Sequence, residues 1–158
     1  MWTAGLELSA KAAGVQAVTN LTIDYIGQVH PNGTCDETGT EHGVDQCVVD
    51  RYHLCAQHPD GMLTSHQKDW QWWGYVHCMF LNQGYLKCGN NGHCADRASF
   101  TKQLHSVHSF CAAQTGVDGD AISTCAASPA AAKMAQASYA AAKAMDAGFA
   151  VRSAKEWG

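Results

Sequence analysis

His42-Gly43-Val44-Asp45-Gln46-Cys47-Val48-Val49-Asp50-Arg51-Tyr52-His53-Leu54-Cys55 is the stretch on which the reading of this chain turns. A His-Gly turn opens it. Val44, Cys47, Val48, Arg51 or Tyr52, and Cys55 then recur at spacings of three and four, which is one face of a helix. The helix is expected to begin near Val44 and to stop at Pro59-Asp60-Gly61, a turn-forming triplet. Two cysteines on a single helical face form a more particular arrangement than composition alone produces.

Cys47 and Cys55 belong to a set of eight, with Cys35, Cys78, Cys88, Cys94, Cys111 and Cys125. An even number at irregular spacings in a chain of 158 residues favours a disulfide framework over scattered thiols. Eight cysteines permit 105 pairings, so connectivity stays open. Cys88–Cys94, close in sequence, is the preferred local bridge. Cys35, Cys47 and Cys55 then bridge among themselves or to the helix cysteines Cys78, Cys111 and Cys125. Two glycosylation sequons, at Asn20 and Asn32, agree with an oxidising lumen: secretory, lysosomal or otherwise organellar, or extracellular. Residues 1–18 lack the basic start and long apolar core of a signal peptide. Either a signal was cleaved upstream or Met1 is not the natural start.

Composition bounds the rest. The hydrophobic fraction is 46% and the net charge is −4, which fits one globular domain over residues 1–158. No Lys/Arg stripe exists to neutralise phosphates, so nucleic acid is not an expected partner. The apolar runs fall short of the roughly 20 residues of a bilayer span, and Lys133, Gln136, Lys143 and Asp146 interrupt the Ala-rich tail.

Outward from the central run, residues 3–15 read as a helix and residues 15–26 as a strand rich in β-branched and aromatic residues. Residues 30–43 read as a loop. Ser65 caps an expected helix to about Leu81. Asp96 starts another, with Phe100, Leu104, Val107 and Cys111 in a 4-3-4 pattern closed by Gly116. A short helix spans Asp118 to Ala127. Ser128-Pro129 opens an Ala-rich helix to about Ala147, with proline at the first helical position, where it is tolerated. The expected class is α/β but α-rich. One strand cannot bury its own edges, so further sequence or a partner must complete the sheet.

The central run resembles the signature of the gamma-interferon-inducible lysosomal thiol reductase family: Cys-Gln-His-Gly, two residues, Glu-Cys, two residues, Asn, four residues, Cys. His42, Gly43, Cys47 and Cys55 match it; Gln46 stands for Glu and Asp50 for Asn. Thr40 occupies the first cysteine's place, with Cys35 the nearest substitute. Asn20 to Gly27 resembles the family's preceding strand, Cys78 a cysteine of the following helix, and Ile122-Ser123-Thr124-Cys125 a later segment, so the resemblance covers roughly residues 15–145. It implies a thioredoxin-like fold, incomplete or degenerate here, with a disulfide-rich helical insertion over about residues 44–127. It also implies reduction of protein disulfides through a Cys-x-x-Cys motif at a helix N-terminus, where a thiolate is stabilised. This sequence contains no Cys-x-x-Cys, and the family's late Pro-Trp-Val-type strand is not recognisable after Ala147. No catalytic residue is therefore assigned, and no cofactor is implied.

Nine histidines raise the question of a metal, with His105, His108 and Cys111 on one expected helix. No pair of ligand knuckles accompanies them, so surface or capping roles are the plainer reading and no metal is assigned. Asp118-Gly119-Asp120 reads as a helix cap rather than a calcium loop. Helix packing is the expected role for two or three of the rings of Trp70, Trp72, Trp73 and Tyr75; all four cannot face one way on a helix, so some ring is expected at an interface with a protein partner. The leading expectation is a non-catalytic, disulfide-stapled relative of the reductases that binds or builds a lumenal assembly. The alternatives are a fragment of an active oxidoreductase whose dithiol lies upstream of Met1, and an unrelated secreted helical disulfide domain.

Overall fold

The computed structural model describes residues 22–25, 28–29, 35–36, 43–61, 71–82 and 97–156. Two short strands, β1 (Gln28–Val29) and β2 (Cys35–Asp36), precede five helices: α1 (Gly43–Gln57), α2 (Gln71–Leu81), α3 (Arg97–Thr115), α4 (Gly119–Ala126) and α5 (Pro129–Glu156). The strands pair antiparallel, Gln28 opposite Asp36 and Val29 opposite Cys35. Cys35 and Asp36 thus lie in a ladder where a loop was expected.

Helix α1 is the centre of the molecule. It packs against α2, α4, α5 and β2. Cys47, Val49, Asp50 and every residue from His53 to His58 are buried. A helix covered on several sides needs no single apolar stripe, which is why polar residues sit on its buried faces. Its end is a tight turn. The His58 amide donates to Leu54 O at 2.8 Å and the Gly61 amide to His58 O at 2.9 Å.

Helix α3 follows its expected pattern. Phe100, Leu104 and Cys111 are buried, and His108 joins the same stripe. Gly116, at φ 75°, ends the helix in the left-handed region. Glycine adopts that conformation freely, whereas a Cβ carries a penalty of about 1 kcal/mol. Nothing lies within 4 Å of a Cβ built there. Gly116→Ala is therefore expected to cost about 1 kcal/mol through the backbone alone, measured by urea denaturation.

Capping chemistry sets the last two helices. Asp118 is the N-cap of α4, its carboxylate accepting from the Ala121 amide at 2.9 Å. Asp118→Ala is expected to cost about 1 kcal/mol in the same measurement. Ser128 Oγ accepts from the Ala131 amide at 3.3 Å ahead of Pro129. Ala131, Met134, Ala135, Ser138 and Tyr139 are the buried face of α5. They recur at three and four, and their small members let α5 approach α1 closely.

The strand expected over residues 15–26 is corrected where the structure describes it. Residues 22–25 form no ladder. Helix side chains take the hydrogen bonds that a neighbouring strand would supply: the Ile23 amide donates to Gln57 Oε1 at 3.0 Å, and the Tyr25 amide to Ser138 Oγ at 2.9 Å. The helix expected over residues 3–15 and the start of the one expected from Ser65 lie outside the described residues. What the structure describes is α-rich.

Candidate functional site

The cysteines come first, because the sequence placed the chemistry on them. Cys55 of α1 bridges Cys125 of α4, with Cα atoms 5.9 Å apart. Cys78 of α2 bridges Cys111 of α3, at 5.6 Å. Cys47 is also disulfide-bonded, and none of the described cysteines is free. Cys47, Cys55 and Cys111 are fully buried. Cys78 and Cys125 are half-buried, and the Asn82 side-chain amide donates to Cys78 O at 2.9 Å. Each described bridge ties two helices together. Cys88 and Cys94 lie outside the described residues.

Gly43 and Gln46 fall within α1. Asp50 is buried and accepts the Tyr139 hydroxyl at Oδ2, 2.9 Å away, which links α1 to α5. His42, Asn20, Asn32 and Trp70 lie outside the described residues.

Trp72, Trp73 and Tyr75 are all buried in the chain's own core. Helix α2 is packed by both α1 and α3, so a wide arc of it is enclosed and three rings fit within that arc. Trp72 and Trp73 meet edge to face, with centroids 6.0 Å apart. Tyr75 reaches α3. All three therefore pack within the chain, the role expected for two or three rings of the cluster.

Three histidines expected at the surface or at caps are instead buried: His53, His58 and His108. His108 has both ring nitrogens engaged. The Tyr75 hydroxyl lies 2.8 Å from Nδ1, and Gly119 O lies 3.0 Å from Nε2. A carbonyl only accepts, so Nε2 carries the proton and Nδ1 takes the tyrosine's. Burial is the main cause that holds the ring neutral by lowering its pKa; the nearby His105 adds to this, while the Gly119 hydrogen bond and Asp120 oppose it. His108 forms part of the wall of an open cleft of about 480 Å³ between α3 and α4, with His105, Ser109, Asp118, Asp120 and Ser123. With both nitrogens in use and Cys111 in a bridge, the His105-His108-Cys111 set does not form a metal site. Among the described residues no group of three or more His, Cys, Asp or Glu is placed to hold one.

His53 is the other anomaly. Its ring is enclosed between Tyr25, at 5.6 Å, and Phe80, at 5.1 Å, and neither nitrogen has a hydrogen-bond partner. Burial pushes its pKa down to about 3. The folded state therefore binds fewer protons here than the unfolded chain. Stability from neutral His53 is intact above the ordinary imidazole value of about 6.5 and declines as pH falls from there toward about 3. His53→Leu is expected to flatten the acid side of the stability profile, read as melting temperature against pH.

No protein-family model, no curated protein and no solved structure matches the chain. Its function is therefore argued from the residues. Cys55–Cys125 and Cys78–Cys111 cross-link helices, burial lowers the pKa of His53 and His108, and Asp50, Gln57 and Ser138 serve as internal ties between elements. The sequence carried no sign of these ties, because a buried Gln or Ser reads like a surface one until its partner is known. Among the described residues no helix is long and apolar enough to cross a membrane.

Proposed function

We propose that this chain is a relative of the gamma-interferon-inducible lysosomal thiol reductases that works without their dithiol chemistry, as a disulfide-stapled binding or structural subunit in an oxidising lumen. One observation carries the reading. Cys55, the last cysteine of the signature, is fully buried and bridged to Cys125 across α1 and α4. Thiol exchange needs an attacking thiolate to reach a sulfur, and within a fully buried residue the Cys55 sulfur offers no such access. The two described bridges are compatible with an oxidising compartment. The thioredoxin-like unit, a protein partner and glycans at Asn20 and Asn32 belong to the same proposal.

The test is an insulin-reduction assay on the full chain prepared with its disulfides intact, at neutral and acidic pH, with a small thiol as reductant. Turnover is expected to equal that of the thiol alone. Turnover above that rate would overturn the non-catalytic reading. In native extracts under non-reducing conditions the tagged chain is expected to sediment well above a monomer; sedimentation as a free monomer would overturn the subunit role.

A further inference from the structure

Residues 22–25 form a strap across α1 and α5, held by three hydrogen bonds: Ile23 amide to Gln57 Oε1, Tyr25 amide to Ser138 Oγ, and Ser138 hydroxyl to Asp24 Oδ1. His53 of α1 and His58, in the turn that ends α1, sit behind it. A backbone amide only donates, so the oxygen of the Gln57 side chain has to face Ile23. The Gln57 nitrogen then faces His58 Nε2 at 2.7 Å, and that nitrogen has to accept. An imidazolium carries protons on both nitrogens and accepts nothing. With His58 charged, two donors would meet at 2.7 Å. Turning the Gln57 amide restores a hydrogen bond to His58 but sets an NH2 group against the Ile23 amide, and the latch opens.

His53 acts in the same direction. It lies beneath the Tyr25 ring with no hydrogen-bond partner for either nitrogen, so a charge there has no acceptor in place. We propose that residues 22–25 are an acid-released strap, with His58 as the trigger at the Gln57 latch and His53 as a second charge that lifts Tyr25. Among the described residues, the charged and titratable groups about this joint include Asp24 and Tyr25 on the strap, Asp50 on α1, His58 and Asp60 in the turn that ends it, and Tyr139 on α5; α2 contributes the Phe80 ring. Asp24 is hydrogen-bonded to Ser138, and Asp50 to Tyr139.

The experiment is hydrogen exchange read by mass spectrometry on the full disulfide-bonded chain, at about pH 7.5 and about pH 5, on either side of the ordinary imidazole value of about 6.5. After correction for intrinsic exchange, the strap amides are expected to lose about tenfold in protection at the lower pH, the effect of one ordinary hydrogen bond, while α3 keeps its protection. No change in the strap, or an equal loss in α3, overturns the proposal. His58→Gln keeps an acceptor for Gln57 but cannot charge, and combined with His53→Leu it is expected to hold the strap at both pH values. Strap release in that double variant would also overturn it. Should the double variant not fold, the wild-type His58 ring signals in an NMR titration must move with the same midpoint as strap release, and a mismatch contradicts the trigger.

Discussion

Replacing Cys55 and Cys125 together by alanine is expected to lower stability by ~4 kcal/mol, a drop in melting temperature of roughly 8–16 °C for a domain of this size. The bridge spans 70 residues of sequence, and the loop entropy it removes from the unfolded chain grows with that span. Cys78–Cys111 spans 33 residues, so the corresponding double variant is expected to lose slightly less. The shorter bridge lies inside the longer loop, which makes the two losses non-additive: the second bridge removed from a chain already lacking the first should cost more than it does alone. Differential scanning calorimetry of the two double variants and their combination measures this directly. A loss below about 1 kcal/mol for the longer bridge would mean that it does not constrain the unfolded chain as a staple does.

Tyr75→Ala is expected to cost ~4 kcal/mol or more, measured by chemical denaturation. Tyr75 is fully buried at the junction of α2 and α3, so truncation opens a cavity that neighbouring rings fill poorly. It also removes the hydroxyl that meets His108 Nδ1, leaving a buried acceptor without a donor. Tyr75→Phe separates the two effects. It keeps the ring, loses only the hydroxyl, and is expected to cost about 1–3 kcal/mol. If the two variants lose equal stability, packing at this position contributes little and the hydrogen bond dominates.

The parts of this fold that sequence made legible are those where local chemistry decides. The 4-3-4 spacing of Phe100, Leu104, Val107 and Cys111 marks α3, and Gly116 ends it where a left-handed residue is needed. Asp118 and Ser128 cap α4 and α5 with side-chain oxygens, and Pro129 opens α5. The parts that were not legible depend on partners distant in sequence. Residues 22–25 have strand-forming composition, yet their amides are claimed by Gln57 and Ser138, and no local pattern announces a side chain more than thirty positions away. Which rings of Trp70, Trp72, Trp73 and Tyr75 pack inward was not legible, because periodicity counts faces of a helix without counting how many neighbours enclose it. His53, His58 and His108 read as surface residues because histidine is intermediate in its burial preference.

Cys47 and Cys55, the signature cysteines, are both disulfide-bonded, and Cys55 ties α1 to α4. Disulfide mapping by mass spectrometry tests it most directly, after native alkylation without reductant. The account predicts no alkylated cysteine among Cys47, Cys55, Cys78, Cys111 and Cys125, with linked peptides joining Cys55 to Cys125 and Cys78 to Cys111. An alkylated Cys55, or a bridge from Cys55 to any other cysteine, would contradict it.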